Sequence, residues 1–166
     1  MNDKEEKGSA PFGGRTQVHR ISEREIAATR VFDAPARLVF EAWADPELFA
    51  RWWVPKSIGM SLRSCEMDVR TGGTYRLEFG QDADNTWAFY GKYLEVVPPA
   101  RIVWTNEEEE NGAISTVTFV EEGGRTRVTF SEVYPSKEAL DDSLGGMDGA
   151  PEQFEQLDEL LATLGA

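Results

Sequence analysis

The sequence contains one cysteine, Cys65, and one histidine, His19, among its 166 residues. A single cysteine excludes an intramolecular disulfide bond and a zinc site built from several cysteines. A single histidine close to the N-terminus excludes a multi-histidine metal site and a triad that depends on histidine. These absences exclude many classes of enzyme, and we expect neither a metal nor a cofactor. Cys65 is expected to be a buried, neutral thiol.

Basic side chains and long apolar runs are also scarce. The chain has 17 lysines and arginines against 30 aspartates and glutamates, a net charge of −13. This charge repels nucleic acid and anionic membrane surfaces, so neither is expected as a partner. No run approaches the roughly 18 apolar residues of a membrane helix, and the charged, glycine-containing N-terminus has no apolar segment of the secretory type. We therefore expect a cytoplasmic protein.

Apolar and aromatic residues are abundant, at 40% and 11% of the chain. These fractions and the length indicate one globular domain. Residues 1–20 are polar and without periodicity, which predicts a disordered tail followed by a single domain over 21–166.

The hydrophobic period changes twice along the domain. "EIAATRVF" alternates as a strand, and "DAPARLVFEAWADPELFARWW" then has the spacing of two short helices, with Asp45 as the cap of the second. Six further strands are predicted at 60–69, 73–80, 86–97, 101–107, 114–121 and 125–132, separated by glycine, asparagine and proline turns. Pro151 suits the first turn of a helix with a leucine stripe. The order predicts an α+β fold with helices over one face of a curved antiparallel sheet.

Four stretches in this order resemble one known family. They are "TRVFDAPARLVFEAWADPELFARWWVP", "MDVRTGGTYRLEF", "YGKYLEVVPPARIVWT" and "GMDGAPEQFEQLDELLATL". Together they resemble the SRPBCC superfamily, also called START-like or Bet v 1-like, and within it the activator of Hsp-90 ATPase homologue-like domain family. The resemblance implies a helix-grip fold, in which a sheet of about six or seven strands wraps a C-terminal helix and leaves a hydrophobic cavity.

The adjacent tryptophans of "ARWWVPK" allow two interpretations. On a short helix Trp52 and Trp53 point about 100° apart, so one narrow core stripe holds only one of them comfortably. Both could pack in the core with Trp43, or one, for which we favour Trp53, could line the entrance of a cavity.

Arg30 lies on the same strand face as Ile26, Ala28 and Phe32, and it therefore needs a carboxylate partner. Asp68 and Glu66 are the candidates. The alternative is that Arg30 and Asp68 offer polar contacts to a ligand, with the guanidinium group binding an anion.

Strand parity and the architecture implied by the resemblance together give a candidate cavity lining. It consists of Trp53, Leu77, Phe79, Trp87, Tyr90, Trp104, Phe119, Phe130, Tyr134, Met147 and Phe154. These side chains are also the types that fill protein cores.

Three functional hypotheses remain open. The first is a non-enzymatic binding protein that takes a small hydrophobic or amphipathic molecule into the cavity, with no perturbed acid–base pair. The second is a protein-interaction module resembling the cochaperone activator, with a collapsed cavity and a chaperone or other protein as partner. The third is an enzyme resembling the superfamily's cyclases or hydrolases, restricted to glutamate, aspartate, arginine and tyrosine chemistry. A homodimer is left open, with Trp87, Phe89 and Tyr93 as an apolar outer patch.

Overall fold

The computed structural model describes residues 16–82, 84–110, 112–143, 147 and 149–164. Its strands are β1 Gln17–Arg20, β2 Glu25–Phe32, β3 Ser61–Met67, β4 Thr74–Asp82, β5 Asn85–Val97, β6 Arg101–Thr105, β7 Ile114–Glu122 and β8 Arg125–Val133. The helices are α1 Ala36–Ala44, α2 Pro46–Phe49, α3 Lys137–Asp142 and α4 Ala150–Leu164, with a 3₁₀ turn at Lys56–Ile58.

All the strands belong to one antiparallel sheet in the order β1-β2-β8-β7-β6-β5-β4-β3. Strands β3 to β8 follow one another as a meander, and β2 returns to pair with β8. The helices cover the concave face, where Phe32 of β2 meets Phe154 of α4 and Phe40 of α1 meets Phe119 of β7. The predicted helix-grip fold is therefore confirmed, with eight strands among the described residues where six or seven were predicted.

The additional strand corrects the predicted N-terminal tail. Residues 17–20 pair with Ile26 to Thr29 of β2, so order begins before residue 20. All four side chains of β1 are exposed, and the strand is held by its backbone ladder. A strand without a buried face has no hydrophobic alternation, and its sequence therefore resembles that of a tail. Residues 1–15 of the predicted tail lie outside the described residues.

Local sequence explains where α2 and α3 begin, and a contact with the sheet explains where α1 begins. The Asp45 side chain accepts a hydrogen bond from the Glu47 N–H at the start of α2, as predicted, and Ser136 caps α3 by accepting from the Ala139 N–H. Pro35 precedes α1 and offers no side-chain cap. Glu121 of β7 supplies one instead, because its Oε1 accepts from the Ala36 N–H at 2.8 Å. This bond fixes α1 to the sheet.

Two glycine sites shape the sheet. Gly123 and Gly124 form the two-residue turn between β7 and β8, with φ of 62° and 81°, a conformation that side chains other than glycine rarely adopt. Gly91 has no room for a side chain, because a Cβ there would lie 2.3 Å from the Thr105 carbonyl oxygen. The register shift of β5 lies two to four residues further on, between Tyr93 and Glu95. Gly91 thus marks a close approach of two strands beside the bulge.

Candidate functional site

Three adjoining cavities lie on the inner face of the sheet, bordered by the segment after α2, the C-terminal helix and the end of α3. An inner pocket of about 40 Å³ is lined by Trp43, Phe49, Trp53, Met67, Tyr75, Leu77, Phe89, Tyr93, Ile102, Trp104 and Asn106. A central cavity of about 360 Å³ is lined by Trp53, Val54, Pro55, Ile58, Phe79, Phe89, Trp104, Asn106, Phe130, Glu132, Gly149 and Gln153. An acidic cavity of about 400 Å³ is lined by Phe89, Asn106, Glu108, Glu109, Ala113, Glu132, Tyr134, Asp142 and Ser143. Because Phe89 and Asn106 line all three, we treat them together as one groove.

The aromatic walls of the groove come from neighbouring strands. Phe79 of β4 and Phe89 of β5 meet edge to face, with ring centroids 4.8 Å apart. Trp104 of β6 stacks on Phe130 of β8 across the intervening strand, with centroids 5.8 Å apart. Inner-face positions on antiparallel strands bring these rings together because every second residue faces the same side. The sheet thereby supplies an apolar floor.

Trp52 and Trp53 have separate roles in the structure. Trp52 is fully buried, and its Nε1–H donates to the Ala42 carbonyl oxygen at 2.9 Å. Trp53 is partly buried, contacts Phe130 at 6.0 Å between centroids, and lines both the inner pocket and the central cavity. The structure thus places Trp52 in the core and Trp53 in the wall of the groove.

The C-terminal helix holds this wall in place through its glutamines. The Gln156 Nε2 donates to the carbonyl oxygens of Trp52 and Val54 at 2.9 and 3.1 Å, and its Oε1 accepts from the Lys56 N–H at 2.9 Å. The neighbouring Gln153 Nε2 donates to the Trp53 carbonyl oxygen. These bonds satisfy backbone groups that no strand or helix partner reaches. We call them the glutamine clamp.

A connected set of polar side chains closes the other end of the groove. Glu132 follows Val128 and Phe130 on the inner face of β8, and its Oε1 accepts from the Tyr134 hydroxyl at 3.0 Å. Ser115, opposite it on β7, donates from Oγ to Oε2 over 3.4 Å. The Asn106 Nδ2 donates in turn to the Ser115 Oγ at 2.9 Å and to the Ala113 carbonyl oxygen at 2.7 Å. The carboxyl group therefore sits at the end of an ordered chain of donors.

Burial shifts the pKa values of this polar end. Desolvation raises the pKa of Glu132, and the nearby charges of Glu108 and Glu109 raise it further against the two hydrogen bonds, which lower it. Desolvation also raises the pKa of Glu108, whose Oε1 accepts from the Tyr90 N–H. The pKa of Tyr134 rises to about 12 through burial and the charge of Glu132. The groove thus contains a carboxyl group that takes up a proton more readily than an exposed glutamate does.

Tyr75, Tyr93 and Trp43 carry the polar groups of the aromatic side chains that line the inner pocket. Burial raises the pKa values of both Tyr75 and Tyr93, and the Tyr75 hydroxyl donates to the Thr105 carbonyl oxygen at 2.6 Å. The Nε1–H of Trp43 is buried and makes no hydrogen bond within the described part of the chain. Buried donors of this kind are uncommon, because leaving one unpaired costs about 1–3 kcal/mol.

The predicted thiol state of Cys65 has a physical basis in the structure. Its Sγ lies 3.6 Å from the Pro46 carbonyl oxygen and 3.4 Å from the sulfur of Met67. Burial and the charge of Asp45 raise its pKa to about 11. The side chain is therefore neutral at physiological pH.

The structure brings six of the eleven predicted lining residues together. Those that line the groove are Trp53, Leu77, Phe79, Trp104, Phe130 and Tyr134. Whether they bind a ligand stays a prediction. Sequence reasoning missed Phe89, Asn106, Glu108 and Glu132; the parity of Val128 and Phe130 extends to Glu132 and could have identified it.

The other five predicted residues line none of the three cavities, for three reasons. Phe119, Met147 and Phe154 are packed into the core. Tyr90 lies on the outer face, where its ring receives the Arg76 guanidinium at 5.7 Å. Trp87 is 55% exposed near the β4–β5 turn, beyond the part of the sheet that the helices cover.

Two further expectations need correction. Arg30 pairs with Asp158 of α4 at 3.3 Å and lies over the Phe32 ring, whereas Asp68 pairs with the exposed Arg70. The predicted pairing failed because α4, distant in sequence, covers β2. The proposed outer patch is also wrong, since Phe89 and Tyr93 line the groove from the inner face.

Among the described residues, no group of three histidine, cysteine, aspartate or glutamate side chains is arranged to hold a metal ion. Within the same residues, no helix is long and apolar enough to cross a membrane.

A sheet gripping a C-terminal helix, with a groove between them, defines a helix-grip protein of the SRPBCC, or Bet v 1-like, type. Residues 33–162 match the family described as "Activator of Hsp90 ATPase homolog 1-like protein", and the chain belongs to this family.

Solved structures with this fold come from several bacteria. A protein from Rhodobacter sphaeroides has a TM-score of 0.80 at 22% identity, over 90% of this chain and 99% of its own. Ms6760 from Mycobacterium smegmatis has a TM-score of 0.76 at 27% identity, over 89% and 97%. CV1439 from Chromobacterium violaceum has a TM-score of 0.69 at 30% identity, over 82% and 96%. No curated protein matches the sequence.

Proposed function

We propose that the protein binds a small amphipathic molecule in the groove. The observation that carries this proposal is the contrast between the apolar and the acidic cavities, which adjoin at Phe89 and Asn106. Trp53, Trp104 and Phe130 form apolar walls, and Glu132 with Tyr134 forms a polar end. Mostly apolar cavities of about 300–1,000 Å³ with a few fixed polar groups are typical of small-molecule sites.

The volumes of the two larger cavities favour this proposal over the cochaperone-like alternative. A protein-interaction module was expected to have a collapsed cavity, and the central and acidic cavities measure about 360 and 400 Å³. Phe89 adds to the contrast, since this residue is 37% exposed beside these cavities. An apolar ring left accessible in a concave site is a surface that a ligand covers favourably.

Mass spectrometry of the gently purified protein tests the proposal. We expect a stoichiometric small molecule under native conditions that is released on denaturation. Trp53→Ala and Phe89→Ala should each remove it, because both rings line the groove. Tyr90→Ala is the matched control, since that ring lies on the outer face and its loss should leave the ligand bound.

The outcome is also informative when the protein is purified empty. A panel of apolar and amphipathic compounds should then raise its melting temperature, because a ligand that binds only the folded state stabilises it. An empty protein that no member of the panel stabilises would contradict the proposal. Circular dichroism of each variant separates loss of binding from loss of folding.

The properties of Glu132 support a second candidate function, which is proton transfer to or from a bound substrate. A carboxyl group with a raised pKa inside a cavity is a typical general acid or base. This feature departs from the expectation that a binding protein has no perturbed acid–base group.

A small aromatic carbon acid tests proton transfer directly. If Glu132 acts as a base, 5-nitrobenzisoxazole should undergo elimination faster with the protein than in buffer, and Glu132→Gln should abolish the excess rate. A rate equal to that of the buffer, or one unchanged in Glu132→Gln, would exclude this role.

A further inference from the structure

The charged residues that line the groove are all of one sign. Glu108, Glu109, Glu132 and Asp142 line the acidic cavity, and Glu132 also lines the central cavity. None of the described residues that line the three cavities is a lysine, an arginine or a histidine. A concave site lined by charge of one sign concentrates its field and attracts ligands of the opposite sign.

Glu132 is the acid best placed to meet a ligand inside the groove. It receives two hydrogen bonds from neutral hydroxyl groups, those of Tyr134 and Ser115, the second over 3.4 Å. Within the described part of the chain, no basic side chain forms an ion pair with it. A carboxylate offers about four acceptor sites, so it retains capacity for a further donor.

The aromatic rings next to Glu132 suit the same kind of ligand. Phe130 precedes Glu132 by two residues on the inner face, and it lines the central cavity together with Trp53 and Trp104. Cations are attracted to the faces of tryptophan and phenylalanine rings, more strongly where water is excluded. A carboxylate beside aromatic faces can therefore bind a positive head group and the apolar body attached to it.

We propose that the groove selects a cationic amphiphile, an organic ammonium or amidinium group held by Glu132 with a compact apolar body against Trp53, Trp104 and Phe130. This inference rests on the proposed function, since it specifies the head group of the ligand in the same groove. It implies discrimination against anionic molecules of the same shape, because their carboxylate would meet like charges in a partly desolvated site.

Three probes with one apolar body separate the charge of the head group from its shape. They are 2-naphthylmethylamine, 2-naphthalenemethanol and 2-naphthoic acid, which are cationic, neutral and anionic at pH 8. Isothermal titration calorimetry should give an affinity for the amine at least about tenfold above that for the alcohol, because hydrogen bonds between charged groups are stronger than those of a neutral hydroxyl. The acid should bind more weakly than the alcohol.

Two substitutions that each remove one negative charge show which carboxylate causes the preference for the amine. Glu132→Gln keeps the size of the side chain and should reduce the amine-to-alcohol ratio to near one. Glu155→Gln removes the same charge at an exposed position of α4 that lines none of the three cavities, and it should leave the ratio unchanged. If Glu155→Gln lowers the ratio as much as Glu132→Gln does, the net charge of the protein accounts for the preference and the inference fails.

The other outcomes distinguish this inference from the function on which it rests. Equal binding of amine and alcohol, with both lost in Phe89→Ala, overturns the cationic head group and retains the binding function. Failure of all three probes together with an empty, unstabilised protein overturns both. A preference for the amine that survives in Glu132→Gln assigns the cation elsewhere and also overturns the inference.

Discussion

Glu132 stands at a position that the alternation of β8 gives to the inner face. Thr126, Val128 and Phe130 precede it on that face and are buried. A carboxyl group at this position loses its hydrogen bonds to water. The hydroxyl groups of Tyr134 and Ser115 replace only some of these bonds. The effect of Glu132 on the free energy of unfolding therefore depends on whether its carboxyl group is protonated.

This dependence predicts a pH effect on folding. Because the folded-state pKa of Glu132 is raised, the folded protein holds the proton above the pH at which the unfolded chain releases it. The groups that face Glu132 are Ser115 on β7, Tyr134 beyond β8, Glu108 and Glu109 before β7, and Asp142 at the end of α3. The contribution of Glu132 to the free energy of unfolding is therefore present at low pH and lost as the pH rises through the folded-state pKa.

Melting temperatures of the wild type and Glu132→Gln, measured from pH 4 to pH 8, test this effect. The two proteins should differ least at pH 4, and the variant should become relatively more stable toward pH 8, because glutamine carries no charge to desolvate. Parallel curves over the whole range would contradict the prediction. Glu155→Gln provides the control for loss of one charge at an exposed site.

The two adjacent tryptophans give a second prediction at this scale. Trp52→Phe removes buried ring volume and the bond to the Ala42 carbonyl oxygen, and it should cost about 2–4 kcal/mol of unfolding free energy. Trp53→Phe keeps a ring at a partly exposed wall and should cost less than about 1.5 kcal/mol. Urea denaturation of both variants measures the difference. Equal losses would show that Trp53 is as much a part of the core as Trp52.

At the scale of the elements, the glutamine clamp joins the last helix to the segment that carries Trp53. The Gln156 side chain alone satisfies three backbone groups between Trp52 and Lys56. These groups lie about one hundred residues from α4 in sequence. The position of the groove wall is therefore set by tertiary contacts rather than by local helix or turn geometry.

Removing the Gln156 bonds of the clamp should destabilise the protein more than a substitution at an exposed position of α4. Gln156→Leu leaves three backbone groups without their partner, at about 1–3 kcal/mol for each group that water cannot reach. We expect a loss of at least about 2 kcal/mol by chemical denaturation, against less than about 0.5 kcal/mol for the exposed Glu155→Gln. A loss for Gln156→Leu within the range of Glu155→Gln would mean that water replaces the clamp without cost.

The elements also show what could be predicted from the sequence. The alternation in β7 and β8 predicted inner faces with Val117, Phe119, Val128 and Phe130, which are all buried. Strand β5 could not be assigned in this way, because it has aromatic residues on both parities. Pairing with β4 decides the matter: Tyr90 lies opposite Arg76 on the outer face, and Phe89 lies opposite Leu77 on the inner face.

The contacts of the site were harder to predict than the sheet. The register that places Ser115 opposite Glu132, and the helix that brings Asp158 to Arg30, join residues that no local pattern connects. Pattern analysis also assigns a charged residue to the surface by default, and Glu132 was missed for that reason. The fold follows from periodicity and turn chemistry, whereas the site follows from long-range pairing.

At the scale of the whole molecule, the dominant property is the net charge of −13, from 30 acidic and 17 basic side chains. Several of the basic residues are paired locally, as Arg76 is with Glu78 and Arg101 with Glu95. The remaining acids repel one another across the surface, and this repulsion opposes the compact state.

Salt should therefore stabilise the protein. Raising NaCl from about 0.01 M to 0.15 M shortens the Debye length from about 30 Å to 8 Å, so repulsion between separated surface carboxylates is screened. We expect the melting temperature at pH 7.5 to rise over this range, whereas sucrose at equal osmolality should produce a smaller change. A melting temperature that falls with salt would indicate that local ion pairs outweigh the repulsion.

Four of the five tryptophans, Trp43, Trp52, Trp53 and Trp104, lie in one cluster, with centroids 4.7, 5.9 and 6.1 Å from the Trp43 ring. At such separations excitation passes between indoles before emission, so the intrinsic fluorescence of the four is collective. A quencher bound next to Trp53 should therefore lower the emission of the whole cluster, whereas the exposed Trp87, outside the cluster, should keep its emission. If a ligand binds in the groove as we propose, its binding should change the intrinsic fluorescence of the unlabelled protein.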